Sequence, residues 1–205
     1  MSRMPSTSPA PDRTTTRRRR APTARRDDVL AAARDMLDDV GWDRLNMVAL
    51  AERVGIKGPS LYNHVENIDD LRRHLWMMVV REMGEAIRDA VLGLAGDDAV
   101  RAIATAYRKY AHQHPRRYAL PVSIPGLKGP DIAAAISVAT DTASAVFRWY
   151  GITGDDAAIA NTLLSANMSG FLAMELQGAM QVDPDRAYDM MVENFIAGLR
   201  SMQQT

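Results

Sequence analysis

Two short stretches of helical apolar spacing, separated by one glycine, constrain this chain more than any other feature. Met47 to Val54 places apolar residues on one helical face, Gly55 interrupts it, and a further stretch opens at Gly58-Pro59 and runs to Val65. Proline suits a first helical turn, where its missing N–H is not needed. Glycine tolerates the positive φ that a tight turn between helices demands. Val48, Leu50, Val54, Ile56, Leu61 and Val65 are apolar and spaced to lock the two helices together, with Ala51 small at the crossing.

This is the parts list of a helix-turn-helix. With Leu61 and Val65 one turn apart and facing inward, Gly58, Pro59, Ser60, Tyr62, Asn63 and His64 are left outside or at the helix start. That outward set is the candidate reading head. Asn63 can pair bidentately with adenine, while Ser60 and Tyr62 can reach a phosphate or a thymine methyl. Lys57, Tyr62 and His64 suit phosphates, and Asn46, at the start of the first of the two helices, completes the candidate DNA-binding set.

The rest of the chain reads as helix. From Thr23, a plausible N-cap followed by Asp27 and Asp28, apolar residues fall at Val29, Leu30, Ala33, Leu37 and Val40, and Gly41 stops the run. Asn67 and its neighbouring acids then cap a long helix from about Ile68 to Leu94. Residues 97 to 114, 131 to 150, 155 to 178 and 184 to 201 follow, separated by Gly96, the Pro/Gly-rich run 121 to 130, Gly151 to Gly154, and Asp183-Pro184. No segment alternates like a strand. The predicted class is all-α, with three short helices in front and five or six longer ones behind. It divides into a disordered Arg-rich arm (1–22), a three-helix DNA-binding domain with a helix-turn-helix (23–67), and a larger helical domain (68–205) with room for ligand binding and dimerisation.

Net charge is zero, but it is split: residues 1 to 81 hold 15 basic against 11 acidic side chains, and the remainder 10 against 14. Arg17, Arg18, Arg19 and Arg20 are contiguous, in a Ser/Thr/Pro-rich arm too poor in apolar side chains to order itself. A run of this kind is either a solvated tail or a handle for a polyanion.

Several classes of function are disfavoured. The chain has no cysteine, so it carries neither a disulfide framework nor a thiolate metal site. It shows no cleavable leader and no apolar run of membrane-spanning length, which predicts a soluble, cytoplasmic protein without membrane contact. His112 and His114 lack further ligands at metal spacing. No Ser-His-Asp, HExxH or phosphate-loop signature is present, so neither an enzyme nor a cofactor is expected.

The order of helix, Gly-Trp, short helix, Gly-Ile-Lys-Gly-Pro-Ser-Leu-Tyr-Asn-His-Val and long helix resembles the TetR family of repressors. The likeness rests on residues 23 to 75 by motif and on helix pattern beyond. His114-Pro115-Arg116-Arg117-Tyr118 is similar to the His-Pro segment of members with a WHG-type C-terminal domain. Ser165 and Ser169 stand where that signature has Trp and His. Ile68 stands where the family usually carries a phosphate-reaching lysine, which shifts that contact toward Arg72 or Arg73.

The resemblance implies a homodimer through the last two long helices, bound to a palindromic double-stranded operator and released by a small-molecule effector. In that setting Arg17 to Arg20 gain a role on the minor groove or the phosphates. Trp76, Val80, Tyr107, Tyr110, Phe147, Met168 and Phe171 form the candidate lining for a small apolar ligand, although methionines and aromatics at helical spacing are more often core. Two other readings compete: an all-α small-molecule binder or enzyme with a vestigial helix-turn-helix, and a non-specific nucleic-acid binder working through its arm.

Overall fold

A computed structural model describes residues 25–123 and 127–202, and these are helical, with no strand among them. The first helix, α1 (Arg26–Val40), buries Val29, Ala33, Met36 and Leu37 on one stripe and ends at Gly41. Thr23, read as its cap, lies outside the described residues. The backbone N–H of Arg25 donates to the Asp28 carboxylate at 2.9 Å, closing the first turn. A 3-10 turn, Trp42–Arg44, leads to α2 (Met47–Val54) and α3 (Gly58–Leu61).

The spine is α4 (Ile68–Ala90), and Asn67 caps it by accepting from the Asp69 and Asp70 N–H groups, both at 2.9 Å. Around it lie α5 (Gly96–Gln113), α6 (Pro115–Ser123), α7 (Pro130–Phe147), α8 (Gly154–Leu176) and α9 (Pro184–Met202). Helix α4 packs on α7 and α5 and also touches α1 and α6, so it is shared by the front and rear of the chain. One apolar cluster runs from Leu37, Leu50 and Leu61 through Leu71 and Leu75 to Phe147, Leu172 and Ile196.

Two expectations are corrected here. His114 ends α5 as expected, but Pro115 opens a further helix, α6, which the sequence reading passed over because of its prolines. Its position is the first turn, where proline is tolerated. The absence of an apolar run of membrane-spanning length also fails: α8 is 23 residues long with mean hydropathy 1.2, long and apolar enough to cross a membrane by length and composition. Its outward side carries Ile159, Leu163 and Met174 in the open, interspersed with Thr162, Ser165 and Asn167.

Salt bridges rivet α9 to α5 at both ends. Arg101 grips Glu193 through two nitrogens at 2.8 and 3.1 Å, and Arg108 meets Asp185 at 2.6 Å while its guanidinium lies 4.5 Å over the Tyr188 ring. Arg200 of α9 bonds Asp97 of α5. The Tyr150 hydroxyl donates to that same carboxylate at 2.7 Å and is the main cause holding it below the usual Asp range.

Candidate nucleic-acid interface and its link to the rear helices

The turn between α2 and α3 forms as its residues require. Asn46 caps α2, its Oδ1 accepting from the Ala49 N–H at 2.9 Å, while its amide donates to the Arg44 carbonyl at 3.3 Å. Capping therefore occupies both ends of the Asn46 side chain. Gly55 sits in the left-handed region, φ 74° and ψ 28°, and the Ile56 N–H donates back to the Ala51 carbonyl at 3.0 Å. A side chain at position 55 would be strained by that φ alone.

Helix α3 is brief, but its turns continue: the His64 and Val65 N–H groups both donate to the Leu61 carbonyl, at 2.9 and 3.2 Å. Leu61 and Val65 are buried, as the one-turn spacing predicts. Lys57, Gly58, Pro59, Tyr62 and Asn63 are exposed, and Ser60 and His64 half-buried, so the seven lie together around one short helix. Tyr62 is 55% exposed.

Val48 does not do what its apolar character suggested. It is 70% exposed, because α2 turns Leu50 and Ala51 inward and leaves Val48 on the far side. Lys57 finds no carboxylate within ion-pair reach among the described residues, whereas Arg53 is held by Asp39 at 2.7 Å. Arg17, Arg18, Arg19 and Arg20 lie outside the described residues.

The cations proposed to replace the missing lysine at Ile68 are engaged elsewhere. Arg73 is bidentate to Asp131 of α7, its Nε at 2.9 Å, and also donates to the Lys128 carbonyl. Arg72 stacks on Trp42, 4.2 Å from the ring centroid. Both arginines brace the first turn of α4 against its neighbours.

A charged junction that the sequence reading missed joins front to rear. Arg117 of α6 grips Asp38 of α1, Nε to Oδ1 at 2.7 Å and a second nitrogen to Oδ2 at 2.5 Å, and reaches Glu82 of α4 at 2.9 Å. Glu82 also accepts from Arg34 of α1 and from the Tyr110 hydroxyl of α5, each at 3.2 Å. Beside it, Arg116 donates to the Asp38 carbonyl at 2.7 Å, at the C-terminal end of α1, where the helix dipole favours a cation. The Arg117 side chain is only 12% exposed, so these contacts are poorly screened.

The candidate ligand-lining residues are buried or half-buried, and several of them pair with other aromatic rings. Tyr107 pairs with Tyr118 edge to face at 6.1 Å, Phe147 with Phe195 at 6.1 Å, and Phe171 with Tyr188 at 5.8 Å. Tyr110 belongs to the charged junction. Val80 and Met168 are core, and Trp76 is buried with its Nε1 hydrogen lacking a partner. Burial pushes the Tyr107 and Tyr118 phenols up, with the Ser169 hydroxyl opposing in both.

A helix-turn-helix joined through a shared spine to a helical bundle defines a DNA-binding transcriptional regulator. Residues 29–75 match the model of bacterial regulatory proteins of the tetR family, and residues 100–195 match that of the tetracyclin repressor-like C-terminal domain. An uncharacterized HTH-type transcriptional regulator of Mycobacterium tuberculosis, Rv0681, is 38% identical over 176 residues, covering 85% of this chain and 81% of that protein. The chain belongs to the TetR family of transcriptional regulators, which are not enzymes.

Solved structures agree on the fold. ActR of Streptomyces coelicolor in complex with (S)-DNPA superposes with a TM-score of 0.66 at 21% identity, over 88% of this chain and 98% of that one. A TetR of Acinetobacter baumannii in complex with minocycline gives 0.67 at 19%, over 89% and 99%.

Proposed function

We propose that the chain is a ligand-responsive repressor that binds a palindromic operator as a dimer and is released by a small, mostly apolar molecule entering its rear helices. The observation carrying the DNA half is the outward set on α3. Gly58 supports it in a particular way: its φ is ordinary and a Cβ there would meet nothing within 4 Å, so the protein's own packing does not call for a glycine. A bare backbone there suits close approach to a duplex. Lys57, Ser60, Tyr62, Asn63 and His64 then supply phosphate and base-edge contacts. One short helix reads few base pairs, which is why two copies on a two-fold site are needed.

The dimer face is assigned to α8 and α9. Ile159, Leu163 and Met190 are exposed in the protomer, and a groove between these helices is lined by Leu163, Met191 and Phe195. A second copy laid on this face removes that apolar surface from water.

The effector half rests on Trp76. An indole N–H buried without a partner is costly, and a ligand bearing one acceptor on an apolar body would satisfy it. Such a ligand, wedged beside α4, would strain the Glu82 junction and change the spacing of the two recognition helices. A hundredfold preference for the released conformation, about 2.7 kcal/mol, is enough for a usable switch. The likeness of the fold to ActR with (S)-DNPA and TetR with minocycline supports a ligand of this general kind. Working on DNA, the protein would act in the cytoplasm.

The test is an anisotropy titration against the DNA upstream of the protein's own gene. The double change Tyr62→Ala with Asn63→Ala should abolish the specific complex while leaving the thermal midpoint in place. A wild-type protein that shows no salt-sensitive, sequence-selective binding would overturn the reading.

A further inference from the structure

The connection between α4 and α5 breaks the rule that exposed turns are polar. Val91-Leu92-Gly93-Leu94-Ala95-Gly96 carries no polar side chain, and Leu92 is 73% and Leu94 46% exposed. Trp149, in the 3-10 turn Arg148–Tyr150 after α7, joins them at 68% exposure. Its indole lies against the α-carbon of Gly96, where a Cβ would come within 2.8 Å of Trp149 Nε1. The ring is therefore seated, and any larger residue at 96 would displace it.

Together these residues wall a groove of about 570 Å³ that runs down to Thr142 and Val146 of α7. That is the volume of small-molecule sites. The only charged side chains lining it are Arg88 and Arg148. Arg148 has no carboxylate within ion-pair reach among the described residues, and Arg88 has only its neighbour Asp89, at 3.5 Å. Isolated surface leucines are ordinary, but a contiguous apolar wall rimmed by cations is not.

We propose that this groove is a second binding site, separate from the interior of the rear helices, for an amphipathic anion: an aryl or acyl body against Trp149, Leu92 and Leu94, with one carboxylate or sulfonate head on Arg148. Charge decides the class. A neutral apolar ligand would leave Arg148 without a counter-charge, and an amphipathic cation would be repelled by both guanidinium groups.

Anilinonaphthalene sulfonate and N-phenylnaphthylamine, the same body without the sulfonate, are the probes, titrated into the full-length protein with tryptophan excitation. The sulfonate should bind saturably. Arg148→Ala should weaken it about threefold to fivefold, the modest effect of one partly exposed charge, while leaving the neutral probe unchanged. Leu92→Ser with Leu94→Ser should weaken both probes about tenfold through lost apolar contact. These are exposed positions and leave the fold intact, checked by the thermal midpoint. Sulfonate binding that ignores the leucine pair, or an Arg148→Ala effect equal on both probes, overturns the proposal. So does sedimentation showing that the leucine changes dissolve the dimer or detach another protein, since the groove would then be an interface between chains.

Discussion

Arg117 and Asp38 stand 79 positions apart and form a two-pronged pair, 2.7 and 2.5 Å, between α6 of the rear helices and α1, which packs on the helix-turn-helix. Removing the fork leaves the Asp38 carboxylate without its partner and Glu82 with only Arg34 and the Tyr110 hydroxyl. Arg117→Ala should cost about 2 kcal/mol, and with it lower the thermal midpoint by roughly 4–8 °C. It should also weaken the effect of effector on operator affinity. Arg117→Lys, which keeps the charge and loses the fork, should recover part of the stability and little of the coupling. Calorimetry together with operator titrations with and without effector checks both.

Two apolar residues of the helix-turn-helix, one on α2 and one on α3, should behave in opposite ways. Leu61 is wholly buried, so Leu61→Ala should cost about 2–5 kcal/mol. Val48→Ala, at an exposed site, should stay within about 0.5 kcal/mol. Urea midpoints of the two variants settle the comparison.

Because Arg72 and Arg73 are held by Trp42 and Asp131, phosphate affinity should depend on the arm. Deleting residues 1–22 should weaken all DNA sequences about equally, flatten the dependence of affinity on salt, and leave the preference for the operator in place. Loss of the preference itself would point to base reading by the arm.

Acid should loosen the α5–α9 seam. Asp97, held down chiefly by Tyr150, and Glu193, held down by Arg101, both sit below their ordinary range. Glu175, which ties α8 to α5, is low as well: burial works the other way, but Arg108 and His112 bring it down. A carboxylate lowered in the folded state stabilises fully above its unfolded pKa, about 4, and that contribution is lost as pH falls through and below it. The thermal midpoint should be flat from about pH 8 to 5 and fall below about pH 4, less steeply in Arg101→Gln.

Ile159→Asp places a charge on the exposed apolar face of α8. It should shift sedimentation toward monomer and weaken operator binding by more than tenfold, with helicity retained.

What the sequence disclosed was local. Gly55, Pro59, Leu61 and Val65 lie within a few residues of the turn they build, so spacing alone was enough to place it. Asp38, Glu82 and Arg117 could not be read that way: their partners are tens of residues distant, and adjacent arginines after a proline look like any solvated surface. Val48 was misplaced because an eight-residue helix has too few apolar positions to show which face is buried. Arg73 was assigned to DNA because its acceptor, Asp131, belongs to a helix whose docking no local pattern announces. The candidate ligand set was legible only as apolar and aromatic residues at helical spacing, a pattern that marks burial whether or not a ligand sits among them.

The apolar residues on the outward side of α8 carry a cost outside the folded molecule. A lone chain holds Ile159 and Leu163 in water, and the operator-binding species on this reading requires two chains. Where dimers are scarce, occupancy then rises as the square of chain number, so halving gene dosage removes about three-quarters of the active regulator rather than half. A cell that makes too little of this protein would lose regulation faster than in proportion to the shortfall.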